Sequence, residues 1–210
     1  MTLLVVIAVA AERDAVVAAL PAGADVRVTI GGVGPAAAAA STAAELARAE
    51  YDLVLSAGIA GGFAPAATGD IAVASRVVFA DLGAETADGF QPISALGFGT
   101  DTYAVDPELA ARLATLTGGR LGAVLTVATV TGTAGRSAAL AQRYPDAVAE
   151  AMEGAGVAAA AVTFGVPLAE VRAVANTVGP RNRAAWDVPG ALAALGRAIA
   201  AICCEAPWTP

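Results

Sequence analysis

Histidine and lysine are both absent from the 210 residues, and all 12 basic side chains are arginine. Without histidine there is no Ser-His-Asp triad, no Cys-His dyad and no histidine-dependent metal site. Without lysine there is no Schiff base to a carbonyl or to pyridoxal phosphate, and no P-loop lysine. Hydrolysis, if the chain performs it, must run on carboxylates. The two cysteines, Cys203 and Cys204, are adjacent, so they neither close a long loop nor match a spaced zinc motif; a reducing cytoplasm is the expected location. Aromatic residues make up 5% of a chain that is 57% hydrophobic, and alanine dominates the apolar fraction, which suits close helix-on-sheet packing. No uninterrupted apolar run reaches the roughly 20 residues of a membrane span. A formal net charge of -7 leaves no basic face to displace counterions from phosphates. The expected partner is a small molecule, with no nucleic acid and no membrane.

What is present is the grammar of an α/β protein, and the length fits one domain over residues 1–210. The apolar opening up to Ala10 superficially resembles a signal peptide but lacks a basic n-region, so it reads as a buried first strand over 3–10. A short helix over 12–20 and a strand over 25–30 follow. Pro35 opens an alanine-rich helix to about Glu50, proline being harmless in a first turn. Strands are predicted over 53–56 and 71–79, and 82–105 is a long irregular segment suited to an active-site or interface loop. Beyond it come a helix from Asp106 to about Leu116, a strand over 121–130 and a helix over 135–143. A strand over 147–151, a helix over 154–164, a strand over 168–175 and a closing helix over 189–202 complete the chain. Such alternation predicts an α/β three-layer sandwich, its central mostly parallel or mixed sheet covered on both faces by helices.

Ligands of α/β sheets collect at the carboxyl ends of strands. Four places qualify: Glu12, the segment Gly58-Ile59-Ala60-Gly61-Gly62, Met152-Glu153-Gly154, and Asn176. Each has a plain structural explanation when taken alone. Glu12 and Glu153 suit the first turn of a helix, the glycine-rich segment a tight turn, and Asn176 a cap. Gly32-Val33-Gly34 lacks the third glycine of a dinucleotide fingerprint, because position 37 is alanine. Their shared placement at strand ends is what makes the four notable.

Taken in order, Ile7–Glu12, Gly32–Ala38, Ala57–Gly62 with Gly69–Val73, Pro145 with Ala151–Gly154, and Val171–Asn176 resemble the methylthioadenosine/adenosylhomocysteine nucleosidases and their relatives in the purine nucleoside phosphorylase superfamily. The resemblance spans nearly the whole chain. It implies a nucleoside phosphorylase-like fold and cleavage of a purine N-glycosidic bond with no metal and no organic cofactor. By the same resemblance Glu12 is the base that activates water, Glu153 holds the ribose hydroxyls and Met152 packs on the sugar. Backbone around Ile59, Ala60 and Gly61 lines the water and ribose side, and backbone at Val130 and Thr131 approaches the purine edge. Dimers or higher homo-oligomers are the family habit. Cleaving a C–N glycosidic bond develops oxocarbenium character on the ribose and negative charge on the purine, so a water-activating carboxylate and a reader of the base suffice.

Asn176 stands where adenine-cleaving relatives carry aspartate. Its amide donates to a 6-oxo group while its oxygen accepts from a protonated N7, a pattern suited to hypoxanthine. The Met152-Glu153-Gly154 motif and the tail from Asn176 to Trp186 resemble the futalosine hydrolases of menaquinone biosynthesis in particular. The substrate of those enzymes bears a carboxylated aromatic group, for which Arg181, Arg183, Trp186 and Phe90 are the candidate contacts. Three other readings keep the fold: a methylthioadenosine/adenosylhomocysteine-type nucleosidase, a phosphorolytic enzyme, which would need arginines beside the ribose for phosphate, and a nucleoside-binding protein without catalysis.

Overall fold

A computed structural model describes residues 2–205. Strand β1 (Leu3–Ile7) is buried at every position and pairs in parallel with β2 (Val26–Ile30) on one side and β3 (Leu53–Gly62) on the other. It ends before the predicted Ala10. Helix α1 (Ala10–Ala19) begins two residues earlier than expected, because the Glu12 carboxylate reaches back to the amides of Ala8 and Val9 and satisfies donors that a helix start leaves free. Helix α2 (Pro35–Leu46) starts on its proline as predicted.

The strand predicted over the four residues 53–56 runs for 10 residues. The glycine-rich segment Ala57–Gly62 is not a turn but the second half of β3, held in line by β10 (Leu168–Thr177), which pairs with it in parallel from Val54 to Gly62. Strand β4 (Ile71–Phe79) has its predicted limits. The 82–105 segment holds a hairpin, β5 (Gly83–Thr86) with β6 (Gly89–Pro92), and a short strand β7 (Thr102–Ala104) that pairs with β4.

Helix α3 (Pro107–Thr117) is capped at its start by Asp106, which accepts from the Leu109 amide at 2.8 Å, and stopped by Gly118 in the left-handed conformation at φ 63°. Strand β8 (Arg120–Thr126) is shorter than predicted and leaves 127–133 as a loop. Then come α4 (Ala134–Arg143), β9 (Ala147–Ala151), α5 (Gly154–Phe164), β10 and α6 (Val188–Cys204).

These strands form one mixed sheet in the order β10-β4-β8-β9-β3-β1-β2, flanked by helices, and β10 also pairs with β3. Strands β3, β9, β8, β4 and β10 therefore close a ring, with β1 and β2 as an extension. Alternating strands and helices do not reveal that closure. α1 and α6 pack together, as do α2 and α5, and the apolar core between helices and sheet includes Leu4, Leu55, Leu113, Leu195 and Ile199. At Gly156 an added Cβ would lie 2.0 Å from the Pro35 carbonyl oxygen, so this glycine lets α5 come against the start of α2.

Candidate functional site

The ends of β1 and β9, with the first half of β10 and the middle of β3 alongside, bring together four charged side chains that are all buried: Glu12, Glu153, Glu170 and Arg172. Glu12 stands in the first turn of α1. One of its carboxylate oxygens accepts from the Ala8 and Val9 amides at 3.2 Å each, and the other from the Ile59 amide at 2.8 Å. The first helical turn and the middle of β3 thus fix one carboxylate.

Glu153 precedes the first residue of α5. Its carboxylate accepts from the Gly34 amide at 3.2 Å, from the Met152 amide at 3.3 Å and from Arg172 Nη1 at 3.2 Å. Gly34 precedes α2 with φ 91°, a left-handed backbone available to glycine, and that turn aims its N–H at Glu153. The Gly32-Val33-Gly34 segment is therefore the strand-to-helix connection, and it serves a carboxylate of this chain.

Arg172 joins the group. Its Nε donates to Glu170 Oε1 at 2.8 Å, its Nη1 to Glu153 Oε2 at 3.2 Å and its Nη2 to Ser56 Oγ at 3.0 Å. A Cβ added to Gly58 would sit 2.6 Å from Arg172 Nη1 and 2.8 Å from Glu12 Oε1, so the guanidinium and that carboxylate flank the same bare Cα. The neighbouring carboxylates hold the Arg172 pKa above its ordinary value against the opposing effect of desolvation. Burial pushes the Glu170 carboxyl up, while Arg172 and the Ser56 hydroxyl pull it down. Sequence reasoning missed both residues. The available signal was two charged residues two apart in a strand that is otherwise almost entirely apolar, which places both on one buried face.

Asn176 lies on β10 directly opposite Gly61 of β3, just past an irregularity in the pairing at Ala175. Its Nδ2 donates to the Thr177 carbonyl at 2.8 Å. A Cβ on Gly61 would lie 2.9 Å from Val178 Cγ2 and in ordinary contact with that Nδ2 at 3.5 Å; the bare Cα there makes room for Val178. Ala60 is buried, while Met152, Ile59 and Gly61 are partly exposed. Val130 is exposed on the 127–133 loop. The amide and hydroxyl of the buried Thr131 both donate to Glu150 of β9, a second buried carboxylate that sequence reasoning passed over. Burial pushes the Glu150 carboxyl up, with Thr131 opposing.

Arg181 lies beside that loop, its Cγ and Cδ 3.7 Å from where a Gly132 Cβ would be. Its guanidinium stands 5.6 Å from the centre of the Trp186 ring, and that of Arg183 stands 5.9 Å from it. The structure thus unites Arg181, Arg183 and Trp186. It does not bring Phe90 to them: Phe90, on β6, stacks on the Arg143 guanidinium at 4.4 Å, in a cleft of about 440 Å³ shared with Asp81, Glu85 and Arg136. Among the described residues no group of three or more Cys, Asp or Glu side chains is placed to hold a metal ion, and no helix is long and apolar enough to cross a membrane.

The phosphorylase superfamily profile matches residues 5–206. The chain is 54% identical to a futalosine hydrolase of Streptomyces coelicolor over 95% of this chain and 94% of that protein. It is 50% identical to a futalosine hydrolase of Acidothermus cellulolyticus over 95% of this chain and 89% of that one. In three dimensions it is similar to a 5′-methylthioadenosine/S-adenosylhomocysteine nucleosidase of Colwellia psychrerythraea in complex with adenine, with a TM-score of 0.84 and 23% identity over 97% of this chain and 94% of that chain. This chain belongs to the phosphorylase superfamily and, within it, to the futalosine hydrolase family.

Proposed function

We propose that this protein hydrolyses the N-glycosidic bond of futalosine, releasing hypoxanthine and leaving dehypoxanthine futalosine for menaquinone synthesis. The carrying observation is the convergence of Glu12, Glu153 and Arg172 beside the glycine-rich end of β3, with Asn176 one strand away. Identity of 54% and 50% to two futalosine hydrolases supports the same reading.

In this reading Glu12 accepts a proton from water as the water oxygen bonds to the anomeric carbon, and the C–N bond breaks with its electron pair leaving on the purine, which takes up a proton from solvent water to depart as hypoxanthine. Glu153 binds the ribose hydroxyls, and the two carboxylates together favour the positive charge that develops on the sugar. Met152 packs on the sugar, and the backbone from Ile59 to Gly61 lines the ribose and water side. Asn176 releases the Thr177 carbonyl to read the base, with backbone at Val130 and Thr131 along the purine edge. Asparagine transfers no proton, so it stabilises the leaving group through hydrogen bonds alone. Arg181 and Trp186 take the carboxylate and the aromatic ring of the acyl group, with Arg183 beside them. Hydrolysis is favoured over phosphorolysis because the nearby arginine, Arg172, is buried and already donates to Glu170, Glu153 and Ser56, so a phosphate placed near the sugar would face Glu12 and Glu153. A homodimer or larger homo-oligomer in the cytoplasm completes the reading.

The test is hypoxanthine release from futalosine in phosphate-free buffer, with methylthioadenosine and inosine alongside, for wild type and Glu12→Gln. Fast futalosine cleavage that the substitution lowers by about a hundredfold or more is the expected outcome. Cleavage of inosine that appears only on adding phosphate would replace hydrolysis with phosphorolysis.

A further inference from the structure

Among the described residues, one buried side-chain oxygen has no hydrogen-bond partner: Oε2 of Glu170. Glu170 is completely buried, and a carboxylate so placed is costly unless another part of it is needed. Its surroundings show which part. Gly154, the first residue of α5, is the closest constraint on the group. A Cβ built there would lie 2.2 Å from Oε2, 2.5 Å from Oε1 and 2.6 Å from the carboxyl carbon, separations that real Cβ atoms do not show. Gly154 does not have positive φ, so its backbone does not require glycine. What requires it is the room for the carboxylate.

The other end of Glu170 explains why the carboxylate is there. Oε1 accepts from Arg172 Nε at 2.8 Å. A guanidinium is planar, so a bond to Nε fixes the directions of both Nη groups. With Nε held, Nη1 meets Glu153 at 3.2 Å and lies along Gly58 facing the Glu12 side, while Nη2 meets Ser56 at 3.0 Å. Glu170 and Arg172 lie two apart on one strand, so the backbone delivers both to the same face without a loop between them.

We propose that Glu170 is the positioning residue of the hydrolytic centre, that it orients Arg172 between Glu12 and Glu153, and that Gly154 is glycine in order to admit it. The kinetic part of this rests on the hydrolase reading above; the Gly154–Glu170 coupling does not. Glu170 itself touches no reacting atom.

A double-mutant cycle between the two positions tests it, with kcat, KM and thermal midpoint measured on whichever nucleoside the wild type cleaves. Glu170→Ala should lower kcat about tenfold while KM moves by no more than about threefold. Glu170→Gln keeps an acceptor for Arg172 Nε and should restore most of that loss, which a merely space-filling role would not require. Gly154→Ala should lower kcat about tenfold when position 170 is glutamate and less than about twofold when it is alanine, because the clash has gone. The thermal midpoint should show the same coupling. Losses that multiply in the double variant, or Glu170→Gln as slow as Glu170→Ala, would overturn the proposal. If Glu170→Ala is not recovered folded, Glu170→Val, which suits a buried strand and ends short of the carboxylate position that a Gly154 Cβ would meet, takes its place in the cycle. A wild type inactive on futalosine but active on inosine would overturn the substrate reading alone.

Discussion

Two regions of this protein pair arginine with carboxylates under opposite conditions. Inside β10, Arg172 and Glu170 are 1% and 0% exposed as side chains, and Glu153 shares the same guanidinium. On the outer surface Arg76 pairs with Asp146, the two side chains being 36% and 46% exposed. Water can replace either partner of the surface pair. Nothing replaces a partner in the buried group, so its geometry is specified and its disruption leaves charge stranded. The same chemical pairing thus fixes the geometry of a buried group in one place and contributes little in the other.

The sharpest way to break this comparison is Arg172→Met. It strands Glu12, Glu153 and Glu170 without their shared cation and should cost about 3 to 5 kcal/mol of stability, read by denaturant unfolding, with hydrolysis lost. A loss under about 1 kcal/mol would place the buried group in the same class as the surface pair. Next is Asn176→Asp, at the margin between the two environments. The mismatch of donors and acceptors is worth about 1 to 3 kcal/mol, so the ratio of hypoxanthine to adenine release from paired nucleosides should shift by about fivefold to a hundredfold, at about 1.4 kcal/mol per decade. Joint replacement of Arg181 and Arg183 by alanine should raise KM for futalosine and leave KM for inosine unchanged, since inosine has no acyl carboxylate. An unchanged KM for both would end the carboxylate assignment.

The smallest effect belongs to Asp146→Asn, under about 1 kcal/mol at neutral pH for a pair this exposed. The hydrogen bond from Arg76 holds the Asp146 carboxyl below its ordinary value. For a depressed carboxylate the stabilisation is present above the unfolded pKa of about 3.9 and is lost as the pH falls through the folded value. The variant should therefore flatten the stability profile below about pH 4 and leave its slope unchanged between pH 6 and 8. Thermal midpoints across that range measure it.

Much of this architecture was legible in the chain, for stated reasons. Continuous apolar runs marked β1 and β4, and Pro35, Asp106-Pro107 and Gly154 marked helix starts, because each signal is local. The strand-end rule singled out Glu12, Glu153 and Asn176, and the structure places all three where β1, β9 and β10 end. What the chain concealed depends on pairing between distant segments. Glycines 58, 61 and 62 look like a turn until β10 lies alongside them and β9 crosses their end. Glu170 and Arg172 look like intrusions in a strand until each is seen to occupy space that Gly154 and Gly58 leave open. Phe90 shared only chemistry with Trp186, and the hairpin that carries it packs against α4 instead.

The ring of β3, β9, β8, β4 and β10 has a consequence for how the protein behaves in a crowded solution. A strand at a sheet margin offers unpaired N–H and C=O groups to any extended chain it meets. Closure removes that margin from five strands, leaving β2 and the three-residue β7 as the outer strands of the large sheet among the described residues. Strand β2 is guarded in its own way: Arg27 projects from it and pairs with Glu45 of α2, as Thr29 does by hydrogen bond. A chain this rich in alanine and valine, with only 15% of its residues charged, keeps its most adhesive backbone turned inward on itself.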